Sequence, residues 1–151
     1  MKTSNIKLTQ DNSIDFHIRW AWYNISRMYN LEASSFGGSM SIGYALLNIE
    51  EEGIPSTKLA PKMGMEPRSL TRMIKSLEEN GLIEKELDKG DKRVVVLKLT
   101  KEGRKQRNLA KSIVLQFNEK IHTQIDAEDL KTTFKVLLQL NELIDKNKIY
   151  N

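Results

Sequence analysis

The stretch 66-EPRSLTRMIKSLEENGLI-83 places two kinds of side chain on opposite sides of one helix. An α-helix turns by about 100° per residue, so Arg68, Arg72 and Lys75 fall within an arc of roughly 60°. Leu70, Met73, Ile74 and Leu77 centre nearly opposite. Pro67 has the fixed φ that suits a first helical position, and Asn80-Gly81 is a stop signal. A helix that buries its aliphatic side must present its cations outward. Ser69 and Thr71 add short donors near its start.

The flanking segments decide what surrounds this helix. Upstream, 56-STKLAPKMG-64 reads as a short helix closed by a glycine. Pro61 removes a backbone donor inside it, which predicts a short or irregular element. Ser41 is the expected N-cap of a helix over 42-IGYALLNIEEEG-53, preceded by the glycine loop 35-SFGGSMS-41. Downstream the period changes. The segments 82-LIEKEL-87 and 94-VVVLKL-99 read as strands joined by the charged tip 88-DKGDKR-93. Thr100 then caps a helix over about 101–124, and Asp126 caps another over about 127–147. Near the amino end, after a polar lead, Ile14, Ile18, Ala21, Trp22, Ile25 and Tyr29 recur at helical spacing over about 13–34. Phe16, Trp20 and Tyr23 form a second apolar stripe on that helix.

A short helix, a glycine turn and an amphipathic helix make a helix-turn-helix, and a hairpin directly behind it makes a wing. The predicted fold is therefore mainly α with a small β-hairpin. A winged helix-turn-helix at about 41–100 is flanked by terminal helices within a single domain, 1–151. Those helices, about 13–34 and 101–147, carry more apolar surface than the small core between them can use. A dimerisation layer is the expected use of the surplus.

Composition narrows the class. The chain of 151 residues has a net charge of +4 and contains no cysteine. Disulfides, thiolate metal sites and cysteine redox sensing are thereby excluded. His17 and His122 are the two imidazoles and lie far apart in sequence, so no metal or other cofactor is expected. The segment 1-MKTSNIKLTQDNSID-15 lacks the apolar core of a signal peptide, and no run approaches a membrane span. The expectation is a cytoplasmic protein that does not engage membranes. No Ser/His/Asp order, phosphate loop or Gly-rich fingerprint points to an enzyme, and 36-FGGS-39 is too short to serve as one. The acidic runs Glu50-Glu51-Glu52 and Glu78-Glu79 read as solvent-facing helix ends.

The expected partner is double-stranded DNA. A helix that enters the major groove needs donors outside and aliphatics inside. Arg68 and Arg72 can reach guanine edges or phosphates, and Lys75 can reach phosphate. Free N–H groups at the helix start, behind Pro67, would add phosphate contacts. Lys89, Lys92 and Arg93 sit on the wing tip, where a thin basic loop fits the minor groove. Asp91, two residues before Arg93, can hold that guanidinium by a charge-assisted bond. The alternative is a protein-interaction module, since a winged helix does not fix function.

The runs 59-LAPKMGM-65, 67-PRSLTRMIKSLEENGLIEK-85, 88-DKGDKR-93 and 97-LKLTKEG-103 resemble the multiple antibiotic resistance regulator (MarR) family. The family pattern of Leu-x-x-x-Gly-Leu falls on Leu77 to Leu82, Asp-x-Arg on Asp91 to Arg93, and Leu-Thr-x-x-Gly on Leu99 to Gly103. The resemblance covers most of the chain. It implies a homodimeric transcriptional regulator, most often a repressor, on a palindromic operator. Each recognition helix would sit in the major groove and Arg93 in the flanking minor groove. Lys58, Lys62, Lys75 and Lys89 would contact phosphate. It also implies a small-molecule effector, aromatic or anionic, bound near the dimerisation helices. Phe16, Trp20, Tyr23 and Arg27, in the stretch that also holds His17, would give it an aromatic wall ending in a cation.

Overall fold

A computed structural model describes residues 7–146. The chain divides into two compact units, Met1–Lys111 and Ser112–Asn151. In the first unit, a short 3-10 turn at Gln10–Asn12 precedes α1 (Ile14–Ser34), α2 (Met40–Asn48), β1 (Ile54–Pro55), α3 (Ser56–Met63) and α4 (Pro67–Glu79). Then follow β2 (Ile83–Leu87), β3 (Val95–Leu99) and the start of α5 (Lys101–Gln124). The second unit holds the rest of α5 and α6 (Ala127–Asp145).

Local chemistry explains most boundaries. Ser13 caps α1 by accepting from the Phe16 N–H, and Thr100 Oγ1 caps α5 by accepting from the Gly103 N–H at 3.0 Å. Asp126 accepts from the Glu128 N–H at 2.8 Å at the start of α6. Gly64 closes α3 and Gly81 follows α4, both with left-handed backbone that a side chain would resist.

Two expectations for α2 are corrected. The cap of α2 is Ser39, which accepts from the Ile42 N–H, while Ser41 lies inside the helix. That helix ends at Asn48, because Ile49 takes an extended conformation and is fully buried. The expectation of a short or irregular element at Pro61 is met by shortness: α3 is a short α-helix with Pro61 inside it. The last helix ends at Asp145, just short of the expected bound; residue 147, where it was expected to end, lies outside the described residues.

The strands form an antiparallel sheet in the order β1-β3-β2. The hairpin register pairs Ile83 with Leu99 and Leu87 with Val95. The two-residue β1, not foreseen from sequence, pairs Ile54 with Leu97 and Pro55 with Val96. Proline has no N–H for a ladder, so an edge position suits it.

The core of the first unit lies between α2, α3, α4 and the sheet. Leu46, Ile49, Leu59, Leu77, Leu97 and Leu99 are its largest fully buried side chains. Leu70 and Leu77 anchor α4 to this core, with Met73 and Ile74 packed beside them. Thr100 and Gly103 dock the start of α5 on the turn after α4. The Thr100 N–H donates to the Leu82 carbonyl at 3.1 Å, and its hydroxyl donates to the Gly81 carbonyl at 2.7 Å.

Among the described residues, no helix is long and apolar enough to cross a membrane, and no group of three or more acidic, histidine or cysteine side chains is placed to hold a metal. The apolar faces of α1 and α6 stand open within their own units. No residue of α1 is buried, and Trp20, Trp22 and Leu31 are at least half exposed. On α6, Leu130 is buried, whereas Phe134, Leu138 and Ile144 are exposed.

Candidate nucleic-acid interface

Burial sorts α4 as its sequence wheel predicts. Arg68, Ser69, Thr71, Arg72 and Lys75 are exposed, and Leu70 and Leu77 are buried. The exposed set differs in its partners. The Thr71 hydroxyl donates to the Pro67 carbonyl at 3.1 Å, and Lys75 lies 3.7 Å from Glu79. Arg68 and Arg72 form no ion pair with any described residue.

The start of α4 offers less to an anion than its position suggests. Pro67 has no N–H. The Ser69 and Leu70 N–H groups both donate to the Glu66 carbonyl, at 3.0 and 3.2 Å. The exposed Glu66 is the N-cap, and its side chain makes no capping bond.

The wing tip is built by two aspartates. Asp88 Oδ1 accepts from the N–H groups of Gly90 and Asp91, both at 2.9 Å, which closes the turn. Asp91 then grips Arg93 three times. Its Oδ1 accepts from the Arg93 backbone N–H and Nε, and its Oδ2 from the second guanidinium nitrogen, each at 3.0 Å. The same bonds hold the Asp91 carboxyl below the usual carboxylate value and push Arg93 up. The guanidinium is nevertheless exposed, with 90% of its side-chain surface open. Such a pair adds little stability, but it fixes the direction of a charge. Lys89 and Lys92 are exposed beside it.

Several cations near this face are already paired. Lys62 bonds Glu50 at 2.7 Å, Lys85 bonds Glu78 at 2.6 Å, and Lys98 meets Glu86. Arg107 of α5 reaches Glu51 at 2.9 Å. The acidic runs are thus ion-pair partners as well as solvated ends. The Lys62 bond holds the Glu50 carboxyl below its ordinary value. Lys58 is exposed and unpaired among the described residues.

The aromatic stretch of α1 is a ladder of edge-to-face rings. Phe16 and Trp20 have centroids 6.2 Å apart, and Trp20 and Tyr23 have centroids 5.7 Å apart. Trp20 and Tyr23 are about half exposed, and Arg27 lies exposed further along the helix. His17 instead bonds the Asp11 carbonyl at 3.0 Å. Sequence reasoning did not single out a groove in the second unit. Leu130, Phe134 and Leu138 form its apolar floor, and His122, Lys131 and Lys135 also line it. Its signal was the i, i+4, i+8 spacing of those three residues on α6.

With this geometry established, comparison with known proteins is specific. Residues 46–95 match the model of the MarR family. The HTH-type transcriptional regulator BilQ of Clostridium symbiosum (strain WAL-14163) is 26% identical over 112 residues, which span 74% of this chain and 78% of that protein. The fold is that of S. aureus MepR in its complex with DNA, with a TM-score of 0.78 at 16% identity, covering 86% of this chain and 97% of MepR. Rhodococcus jostii RHA1 CouR bound to p-coumaroyl-CoA superposes with a TM-score of 0.75 at 23% identity, covering 87% of this chain and 94% of CouR.

Proposed function

Since this chain is a transcriptional regulator of the MarR family, we propose that it acts as a homodimeric repressor on a palindromic operator. The lobe at about 41–100 would contact DNA, and the helices at about 13–34 and 101–147 would form the dimer. The observation that carries the reading is Arg93, bonded three times to Asp91 yet almost fully exposed. A cation with its orientation fixed and its face open is pre-organised for an anionic groove, because little side-chain freedom is left to lose on binding. In this reading α4 enters the major groove with Pro67, Arg68, Ser69, Thr71, Arg72 and Lys75. Arg93 enters the neighbouring minor groove, and Lys58, Lys89 and Lys92 meet phosphate. The exposed apolar faces of α1 and α6 support self-association.

The test is binding to the DNA upstream of the protein's own gene, against a scrambled duplex, over a salt series. Arg93→Ala and Arg72→Ala should weaken specific binding and leave the dimer intact by sedimentation. Normal specific binding by both variants refutes the mechanism. Undetectable duplex binding at low salt, with a protein partner co-purifying, would instead establish an interaction module.

A small aromatic or anionic effector is the second half of the proposal, with Phe16, Trp20, Tyr23 and Arg27 as its contacts. The half-exposed rings of the edge-to-face ladder support it, since exposed aromatic surface with a cation on the same helix suits an aromatic acid. Titration with aromatic carboxylates should quench tryptophan emission and release bound DNA. Quenching that survives in Arg27→Ala with unchanged affinity would remove the cation from that role.

A further inference from the structure

We propose that Arg68 and Arg72 are the specificity-determining residues of α4, and that each reads one guanine, so that every half-site carries two G·C pairs within three consecutive base pairs. This rests on the DNA-binding reading above and deepens it.

Three observations single out these two side chains. First, three of the lysines around them face neighbouring carboxylates. Lys75 is held by Glu79 one turn on, Lys85 by Glu78, and Lys62 by Glu50. Arg68 and Arg72 are exposed and have no acidic partner among the described residues. Second, the helix start is a poor seat for phosphate. Pro67 has no N–H, Ser69 and Leu70 spend theirs on the Glu66 carbonyl, and the N-cap residue itself is an exposed, acidic Glu66 that makes no side-chain capping bond. An arginine beside it is therefore not needed to complete a phosphate pocket. Third, the Thr71 proton between the two arginines is committed to the Pro67 carbonyl. Its hydroxyl is left as an acceptor, so the donors on this stretch of the face are the two guanidinium groups and Ser69.

Geometry then sets the spacing. Residues four apart lie about 40° apart around a helix and about 6 Å apart along it. Bases on one strand are separated by about 3.4 Å, so the two side chains span roughly two steps. The planar guanidinium matches the O6 and N7 acceptors of guanine, a pair of bonds that the single ammonium of lysine cannot reproduce. Two nearly parallel arginines at this separation fit two guanines with at most one base pair between them.

The experiment is selection of full-length protein on a random duplex pool, repeated with Arg68→Lys and Arg72→Lys. Both variants keep the charge on an exposed site, and circular dichroism verifies their fold. The expected motif has paired guanines in each half-site. Exchanging either G·C pair for A·T should weaken wild-type binding on the order of tenfold or more. Each lysine variant should lose the preference at one of the two positions and keep it at the other. An enriched motif without the paired guanines, or one that both variants select unaltered, overturns this inference alone. No enriched motif, with equal and steeply salt-sensitive binding to every duplex, overturns the DNA-regulator reading as well.

Discussion

Gly103→Ala sets two physical effects against each other. Gly103 lies inside α5, where helix propensity alone predicts that alanine stabilises by about 1 kcal/mol. The tertiary structure predicts the opposite. A Cβ at Gly103 would sit 1.9 Å from the Leu82 carbonyl oxygen and 2.9 Å from its carbon, and both atoms are backbone. Neither can swing aside as a flexible side chain would. Relief requires α5 and the turn after α4 to separate by about 1 Å or more, and overpacking of this kind costs about 1–3 kcal/mol. The separation also strains the Thr100 N–H bond to the same oxygen and the Thr100 hydroxyl bond to Gly81, each worth about 1 kcal/mol. After the propensity gain is subtracted, a net loss of about 2–4 kcal/mol is expected. The assay is urea unfolding followed by far-ultraviolet dichroism at fixed protein concentration, because the self-association proposed above would couple stability to concentration. The transition midpoint should fall with little change in slope. A variant as stable as wild type, or more stable, would refute the close approach of α5 to Leu82. Gly43→Ala is the control. Its Cβ would meet only the Ala110 methyl, at 3.2 Å, and the change should be much smaller.

Three further outcomes follow from the same geometry. Leu77→Ala removes a fully buried side chain that ties α4 to the core, and should lower unfolding stability by about 2–5 kcal/mol in the same denaturation assay. The Asp91 carboxyl, held down first by the Arg93 side chain and then by its backbone N–H, should titrate below the usual carboxylate range by carboxyl-carbon NMR. Because the folded value is depressed, the grip on Arg93 is present at neutral pH and is lost as pH falls through that lowered value. In Arg93→Ala the titration should move up toward the ordinary value, and an unmoved curve would show that the pair is not formed in solution. The exposed Lys62–Glu50 pair should give only a small coupling in a double-mutant cycle, shrinking with added salt.

How much of this was legible in the sequence depended on whether the signal was local. The amphipathic wheel of α4, Pro67 at its first position, Gly81 after its end, and the Thr100 and Asp126 caps all express preferences of a few neighbouring residues, and all stand in the structure. The Asp91–Arg93 pair was readable for the same reason, since two residues of separation on a turn leave the carboxylate little else to hold. The cap of α2 was not readable. Ser39 and Ser41 are chemically equivalent there, and burial of Ile49 against the core fixes where that helix ends.

By itself, then, the sequence determined the order of the main helices and the hairpin and which face of α4 is apolar, because side-chain period and end chemistry act over one or two turns. Tertiary structure decided what contacts across distance decide. The strand β1 exists only because Ile54 and Pro55 meet Leu97 and Val96, and two residues carry no period of their own. Gly103 is required only because Leu82, twenty-one positions away by residue number, lies against it. Above all, the sequence shows an excess of cations but not which are neutralised. Glu50, Glu51, Glu78 and Glu86 find Lys62, Arg107, Lys85 and Lys98 only once the chain is folded. Which cations those pairs leave over, Arg68 and Arg72 on α4 among them, is a property of the fold, because Coulomb attraction depends on separation in space and not along the chain.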